Sequence, residues 1–503
     1  MKRQISPWLI LVFGAVIWQL IYVYWTPVVE RYMVPPGDDA AVHIQGITEL
    51  LSGQWSLFGA NGYPHGFHIV MALIAKLTGL SALLSVLWFT PLLLVAPIFV
   101  IYYVGKKLFD NALVGAVAAG AWVFIALAPI RAFGDGNYPN LVASSILMPL
   151  CLLWLYRLTS APSLKKTVPV VISLVLLALV HHLTLVYLIA VTVPWLIITT
   201  AEKAWELRHQ KGAVRIVMTG LLIMVFAMGV FWFLYGKILA PYIAVVKAGG
   251  NLAHYLGGDS STLSILQILE INHPVLIILG LVGLLALMLS RLERSLKLLF
   301  ASWILVLFAL GAVPIVGLPG RFVRELAIPC SLLIGYLALF LYQHSIPKVR
   351  DWLIPLFVVV VLGAVWLDNF AQPFALPDPF KPLMRMQHEE EPAIPVLQNF
   401  PTETVIATNS NPFLPYLLVN KRVIIIRDPG EVSGAVKNYP TALLYLAKQP
   451  PLSEGYPFFA LAPQIFITLD AVPSKKLIQT LANGSKVYQL IPPAAKSPKT
   501  KAR

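Results

Sequence analysis

Charge is what this 503-residue chain has least of: 12% of its residues are Asp, Glu, Lys or Arg, about half the share of an ordinary soluble domain. With 58% hydrophobic residues beside them, most of the chain belongs in lipid. Cysteine is scarce as well. Cys151 and Cys330 both lie in apolar segments, which leaves no disulfide framework and no thiolate metal site and reads them as small buried hydrophobes. There is no glycine-rich phosphate loop, so nucleotide hydrolysis is unsupported. No Ser-centred nucleophile motif stands out. A formal net charge of +14 would point to nucleic acid in a soluble protein. Here the basic residues lack aromatic interleaving and sit in short gaps between apolar segments, so no nucleic-acid partner is expected.

What is there is a series of membrane spans. The first apolar stretch, Trp8 to Trp25, is too long for the core of a cleaved leader, and no small-residue cleavage site follows it, so it should stay as an anchor. Met1-Lys2-Arg3 places the N-terminus in the cytoplasm. Hydropathy and charge bias then predict about eleven helices, at roughly 7–29, 82–104, 112–130, 141–159, 168–181, 184–200, 214–235, 274–290, 298–316, 325–343 and 352–367. With Phe67 to Leu80 read as interfacial or re-entrant, nearly all basic turns, such as Lys106-Lys107 and Lys165-Lys166, fall on the cytoplasmic side. The expected location is the plasma (inner) membrane, crossed many times.

Residues 1–367 are thus expected to form the membrane domain, and 368–490, richer in Pro, Asn and charge, an extracytoplasmic α/β domain. Strands are predicted at Thr404–Ala407, Arg422–Ile426 and Gln464–Thr468, with a helix over Pro440–Lys448. The tail 491–503 is basic and reads as disordered.

The outer loops collect a different chemistry from the cytoplasmic ones. The first carries Pro35-Pro36-Gly37-Asp38-Asp39-Ala40-Ala41-Val42-His43 and then Tyr63-Pro64-His65-Gly66-Phe67-His68. Asp38 to Ser52 has helical spacing, with Ala41, Ile44, Ile47, Leu50 and Leu51 on one face and Asp39, His43 and Gly46 on another. One Asp suffices to cap that helix. The other is left to act as a general base or, as a pair, to hold a divalent cation such as Mg or Mn through oxygen. His43, His65 and His68 lack the tight spacing of a zinc site. The second outer loop holds Asp135 and Asn137 between glycines, where a turn explains them and a second catalytic or metal-linked acid is the alternative. His181-His182-Leu183-Thr184 interrupts an apolar run. Arg321 and Arg324 flank Phe322 at an outer helix end, where arginine suits a phosphate.

These motifs together resemble the GT-C glycosyltransferase superfamily, polytopic transferases that use polyprenyl-phosphate-linked sugars. The matching features are the acidic first outer loop on an interfacial helix, Tyr63 to His68, Gly136-Asn137-Tyr138-Pro139-Asn140, His181 to Thr184 and Gly320-Arg321-Phe322. The resemblance implies inverting transfer of a sugar, outside the cytoplasm, from the lipid carrier to a glycan, lipid or protein acceptor. It makes Asp39 or Asp38 the candidate base, Asp135 the acid of the second outer loop and Arg321 the lipid-phosphate contact, with Arg324, His43, Tyr63, His68, Asn137, His181 and His182 as further substrate contacts. The chain lacks the Trp-Trp-Asp-type motif of the oligosaccharyltransferase branch, which favours a monosaccharide donor. The other function class is a transporter or flippase of a lipid-linked glycan. It calls for charges deep within several spans or for broken midplane helices, and few such charges are found.

Overall fold

The computed structural model describes residues 7–206 apart from eight positions (30, 32, 38, 60–62 and 161–162), then 263–312, 319–345, 391–408, 414–418, 421–425, 443–446 and 475–490 apart from 483, with single positions within 222–236 and 352–363. The expected spans at 214–235 and 352–367, the strand at Gln464–Thr468, the tail 491–503 and Asp38 lie outside the described residues. The chain divides into two units, one of Met1–Trp25 with Val42–Phe374 and one of Thr26–Ala41 with Ala375–Arg503.

The described helices of the first half are α1 (Pro7–Val28), α2 (Asp39–Leu51), α3 (Gly66–Thr78), α4 (Ala82–Phe89), α5 (Leu92–Leu108), α6 (Ala112–Phe124), α7 (Ala128–Gly134) and α8 (Tyr138–Val142). A π-turn over Ala143–Leu147 joins α8 to α9 (Met148–Ser160), followed by α10 (Leu164–Val180) and α11 (His182–Glu206). Beyond the segment outside description come α12 (Ile265–Asn272), α13 (Pro274–Leu289), α14 (Arg294–Ala312), α15 (Pro319–Arg324) and α16 (Ala327–His344). Among the described residues five helical stretches are long and apolar enough to cross a membrane, or up to eight if each bent pair counts once. The protein is an integral membrane protein.

The bends have local causes. Gly79 ends α3 in the left-handed region at φ 71°, and the Ser81 hydroxyl caps α4 by accepting from the Leu84 amide, so α3 and α4 meet at 104°. This break puts Phe67–Leu80 in a short helix of its own, and the stretch that hydropathy reads as one span over 82–104 is two helices, α4 and α5, parted at Thr90-Pro91. A second bend of 101° separates α12 from α13 at His273, which has φ 80° ahead of Pro274. Asn272 at that corner donates to the Val323 carbonyl at 2.9 Å and so ties the bend to α15.

The body of this unit is built on a seam of small residues. Gly280 faces Cys330, and a Cβ at Gly283 would strike the Leu333 carbonyl, so α13 lies against α16 at backbone distance. Gly335 meets the Val114 carbonyl in the same way, and Gly115 meets Tyr102, which stacks α16, α6 and α5 in turn. In lipid, where apolar side chains gain nothing by leaving a hydrocarbon solvent, such close approach is how helices associate. Cys330 is buried within the seam and acts as a small apolar filler.

In the second unit β1 (Val405–Thr408), β2 (Arg422–Ile425), β3 (Leu443–Leu446), β4 (Lys475–Thr480) and β5 (Lys486–Leu490) form one sheet in the order β2-β1-β3-β5-β4. β1 pairs parallel with β2 and with β3, whereas β5 runs antiparallel to β3 and β4. With α17 (Ala393–Gln398) and α18 (Leu414–Leu417), this makes a small α/β unit cored by Leu397, Ile406, Leu414, Tyr445 and Val487. The sequence reading of a helix over Pro440–Lys448 is corrected here. Leu443 to Tyr445 are buried in a strand between β1 and β5. A run of leucines covered on both faces has no alternation to mark it as β.

Candidate functional site

Four segments far apart in the sequence meet in the first unit: α2 and α3, the α7–α8 turn, the α10–α11 junction, and α15. Each brings polar groups to an otherwise apolar interior.

The first wall is aromatic and imidazole. His43 on α2 and His68 on α3 are buried and share a hydrogen bond of 2.9 Å between Nδ1 of the first and Nε2 of the second. Gly46, one turn along α2 from His43, leaves room for the His68 ring, which a Cβ there would approach to 3.1 Å. Tyr63, Phe67 and Tyr138 close around His43 with ring centroids 5.5 to 6.1 Å away. Burial pushes the His43 imidazole down to about 3, against the Gly136 backbone, which favours the charged ring. His43 is therefore neutral at physiological pH. Outside this wall His65 packs on His68, and its Nδ1 donates to the Ser56 carbonyl at 3.1 Å. The other ring nitrogen of His68, Nδ1, is buried without a hydrogen-bond partner.

α2 is covered on both sides rather than on its apolar face alone. Ile44, Ile47 and Leu50 are buried, and so are His43 and Gly46, leaving Val42 and Gln45 outward.

His181 and His182 stand where α10 stops and α11 begins, since His181 is extended at φ −156°. Tyr63 meets the His182 ring edge-on at 5.8 Å, which joins this junction to the first wall. His181 lies within electrostatic reach of His43, His182 and Arg321. Its Nδ1 is 2.8 Å from the Thr184 hydroxyl. That hydroxyl contacts Asn140 Oδ1 at 3.1 Å, and Asn140 Nδ2 in turn contacts Glu325 Oε1 at 3.1 Å. Ser144, carried on the π-turn, also bonds the Glu325 carboxyl. π-turns of this kind concentrate at functional sites because they re-aim side chains within a helix.

α15 supplies the cations. Arg324 pairs with Asp135 at 2.5 Å, partly exposed on both sides. Arg131 lies near the same pair and near Glu270. Arg321 lies within electrostatic reach of both histidines of the α10–α11 junction. Phe322, between the two arginines, packs into the interior against Tyr187 at 4.7 Å and fixes the direction of α15.

Of the residues singled out from the sequence, the structure brings His43, Tyr63, His68, His181, His182 and Arg321 into one connected cluster, with the Asp135–Arg324 pair on α7 and α15 nearby. Asn137 is half-buried at the start of α8. Asp39 sits half-buried in the first turn of α2 and belongs to the second unit. Three residues that join the cluster, Asn140, Thr184 and Glu325, were not among the candidates. The first two fell inside the motifs Gly136–Asn140 and His181–Thr184, and Glu325 directly follows Arg324 in the sequence. Among the described residues no three His, Cys, Asp or Glu side chains converge as metal ligands. Asp135 already has Arg324 as its partner, so this acid does not fit a cation site and no step is assigned to one.

The arrangement of helices is that of the GT-C membrane glycosyltransferases. The chain matches ArnT from Cupriavidus metallidurans bound to undecaprenyl phosphate at 14% identity, with a TM-score of 0.57 over 97% of this chain and 98% of that one. It matches the apo oligosaccharyltransferase of Archaeoglobus fulgidus at 10% identity and a TM-score of 0.55, over 87% and 69% of the two chains. The oligosaccharyltransferase AglB of that organism, in complex with an inhibitory peptide and a dolichol-phosphate, matches at 9% identity and a TM-score of 0.51, over 86% and 69%. Residues 6–323 match a family of unknown function, DUF6541, and the chain belongs to that family. No curated protein matches it in sequence.

Proposed function

We propose that this protein transfers a sugar from a polyprenyl-phosphate carrier to an acceptor hydroxyl or amide at the extracytoplasmic face of the plasma membrane, with inversion. One observation carries the reading: in a GT-C fold, Arg321 lies within electrostatic reach of His181 and His182, and His182 connects through Tyr63 to the His43–His68 wall. A guanidinium beside neutral hydrogen-bonding rings suits a phosphate attached to a lipid. Structures of the same fold hold dolichol-phosphate and undecaprenyl phosphate, which supports the same donor class here.

In this reading the bond from the anomeric carbon to the phosphate oxygen breaks as the acceptor forms its bond from the opposite side. Phosphate is already a good leaving group, so the protein's work is to stabilise its charge and to take the acceptor's proton. Arg321 does the first. Asp39, or Asp38 beside it, does the second. Asp135 holds Arg324 in place rather than serving as a second base. The aromatic and imidazole wall around His43 offers a stacking face and hydrogen bonds for a sugar ring. The second unit lies outside the cytoplasm and the N-terminus inside.

The purified protein, given polyprenyl-phosphate sugars, should release the lipid phosphate. Arg321→Gln should weaken donor binding about tenfold or more, the scale of one hydrogen bond to a charged group, and Asp39→Asn should stop turnover while sparing binding. Full turnover in both Asp38→Asn and Asp39→Asn would remove the mechanism. Donor binding with no release by the unaltered protein would favour the transporter.

A further inference from the structure

Glu325, Asn140 and Thr184 have no task in the transfer as described, although they are buried together with His181. A carboxyl group placed at the depth of a span needs a reason, since its neighbours could all be apolar at lower cost.

Ionised Glu325 imposes one hydrogen pattern on the chain of hydrogen bonds from Glu325 to His181; protonated Glu325, which Ser144 also bonds, admits a second. In one, Glu325 is ionised. Asn140 Nδ2 then donates to Glu325, Thr184 Oγ1 donates to Asn140 Oδ1, and His181 Nδ1–H donates to Thr184 Oγ1, which leaves His181 Nε2 as a bare acceptor. In the other, Glu325 carries a proton and donates it to the Asn140 amide oxygen, the amide having turned by half a revolution. Its NH2 then donates to Thr184 Oγ1, the Thr184 hydroxyl donates to His181 Nδ1, and the imidazole hydrogen sits on Nε2. The two differ by one proton on Glu325 and by the ring nitrogen that holds the His181 hydrogen. Each group has a single consistent role in each pattern because a hydroxyl has one hydrogen and an amide has two distinct ends. The Thr184 backbone N–H, 3.3 Å from His181 Nδ1, is a donor fixed in place. It suits only the second pattern, in which Nδ1 accepts.

We infer that Glu325, Asn140 and Thr184 act as positioning residues that couple the charge of Glu325 to the tautomer of His181, so that a protonated Glu325 makes His181 an Nε2–H donor beside Arg321, available to a phosphate oxygen. The ionised form reverses this and turns a lone pair toward the phosphate, which repels it. The proposal rests on the phosphate reading of Arg321. The charged and titratable groups around the chain are Arg324 and Tyr187 near Glu325, and His182, Arg321 and His43 near His181. Arg324 is paired with Asp135.

The test uses the full-length protein in detergent with 15N-labelled histidine, the His181 signals being assigned by their loss in His181→Asn. In the unaltered protein the hydrogen should lie on Nε2 while Glu325 is protonated and move to Nδ1 as rising pH ionises it. Glu325→Gln cannot ionise, so whichever His181 tautomer its amide sets should persist at every pH. Binding of a short-chain polyprenyl phosphate should follow the tautomer, weakening about tenfold in the unaltered protein over that interval and staying flat in Glu325→Gln, the effect of one hydrogen bond to a charged group. Thr184→Val, which cuts the chain midway, should uncouple His181 from pH. A tautomer that ignores both pH and Glu325→Gln overturns the coupling. If the tautomer responds as stated but no polyprenyl phosphate binds, the phosphate reading of Arg321 fails and the coupling stands. A pH response that survives Thr184→Val overturns the route through Asn140 and Thr184.

Discussion

Two regions of the membrane unit are held together by opposite means. The seam through α5, α6, α16 and α13 works by omission: Gly115, Gly335, Gly283 and Gly280 remove side chains so that backbones touch. The polar cluster works by addition, threading Asn140, Thr184, His181 and Glu325 through a space that apolar residues would fill. The seam tolerates no added atom. The cluster tolerates no lost partner. Rigid packing thus accompanies a buried network of hydrogen bonds within one unit.

Substitutions should separate the two by size of effect. Gly335→Val drives a branched side chain into the Val114 backbone, and thermal unfolding in detergent should show a loss of about 3 kcal/mol or more, the upper range for overpacking. A smaller loss, about 1–3 kcal/mol, is expected from Thr184→Val. The shape is conserved but Asn140 and His181 lose a buried partner. A Thr184→Val protein as stable as the parent would mean that the chain of hydrogen bonds does not hold α8 to α11.

Acid should reveal the cluster and leave the seam untouched. His43 is held near 3 when folded and returns to about 6.5 when unfolded. The unfolded chain therefore binds the proton first. This contribution to stability is complete above about 6.5 and is lost as pH falls toward 3, by up to about 1.4 kcal/mol per pH unit. Denaturant melts across that interval should show the slope, and His43→Asn should flatten it. Smallest of all is the Asp135–Arg324 pair. It is partly exposed, so Asp135→Asn should cost about 1 kcal/mol or less, with added salt reducing the difference further.

The same contrast explains what could be read from the sequence. The spans were legible because apolar length and basic turns repeat along the chain, and the described helices α1, α9, α11, α13, α14 and α16 fall where hydropathy puts them. The cluster residues His43, His68, His181, His182 and Arg321 stood out because ionisable or imidazole groups beside apolar runs are conspicuous. Asn140, Thr184 and Glu325 did not, although all three lay in view. Asn140 and Glu325 are 185 positions apart, and their meaning exists only once α8 and α15 are side by side. The Asp135–Arg324 pairing was hidden for the same reason. In the second unit the strand at Leu443–Leu446 was mistaken for helix because four apolar residues carry no period. The boundary near Gly79 was read from the sequence, whereas the break at Thr90-Pro91 inside the span expected over 82–104 was missed because both sides of it are equally apolar.

Gly46 shows how far the site reaches into the helices that carry it. At mid-helix a glycine weakens α2 by about 0.5–1 kcal/mol against alanine, and a methyl group there would press on the His68 ring. A protein engineer screening α2 for thermal gain would choose Gly46→Ala early, and would obtain a stiffer helix whose imidazole neighbours no longer line up. Resistance to heat and fidelity of the His43–His68 bond pull this one position in contrary directions, and the present residue sides with the bond.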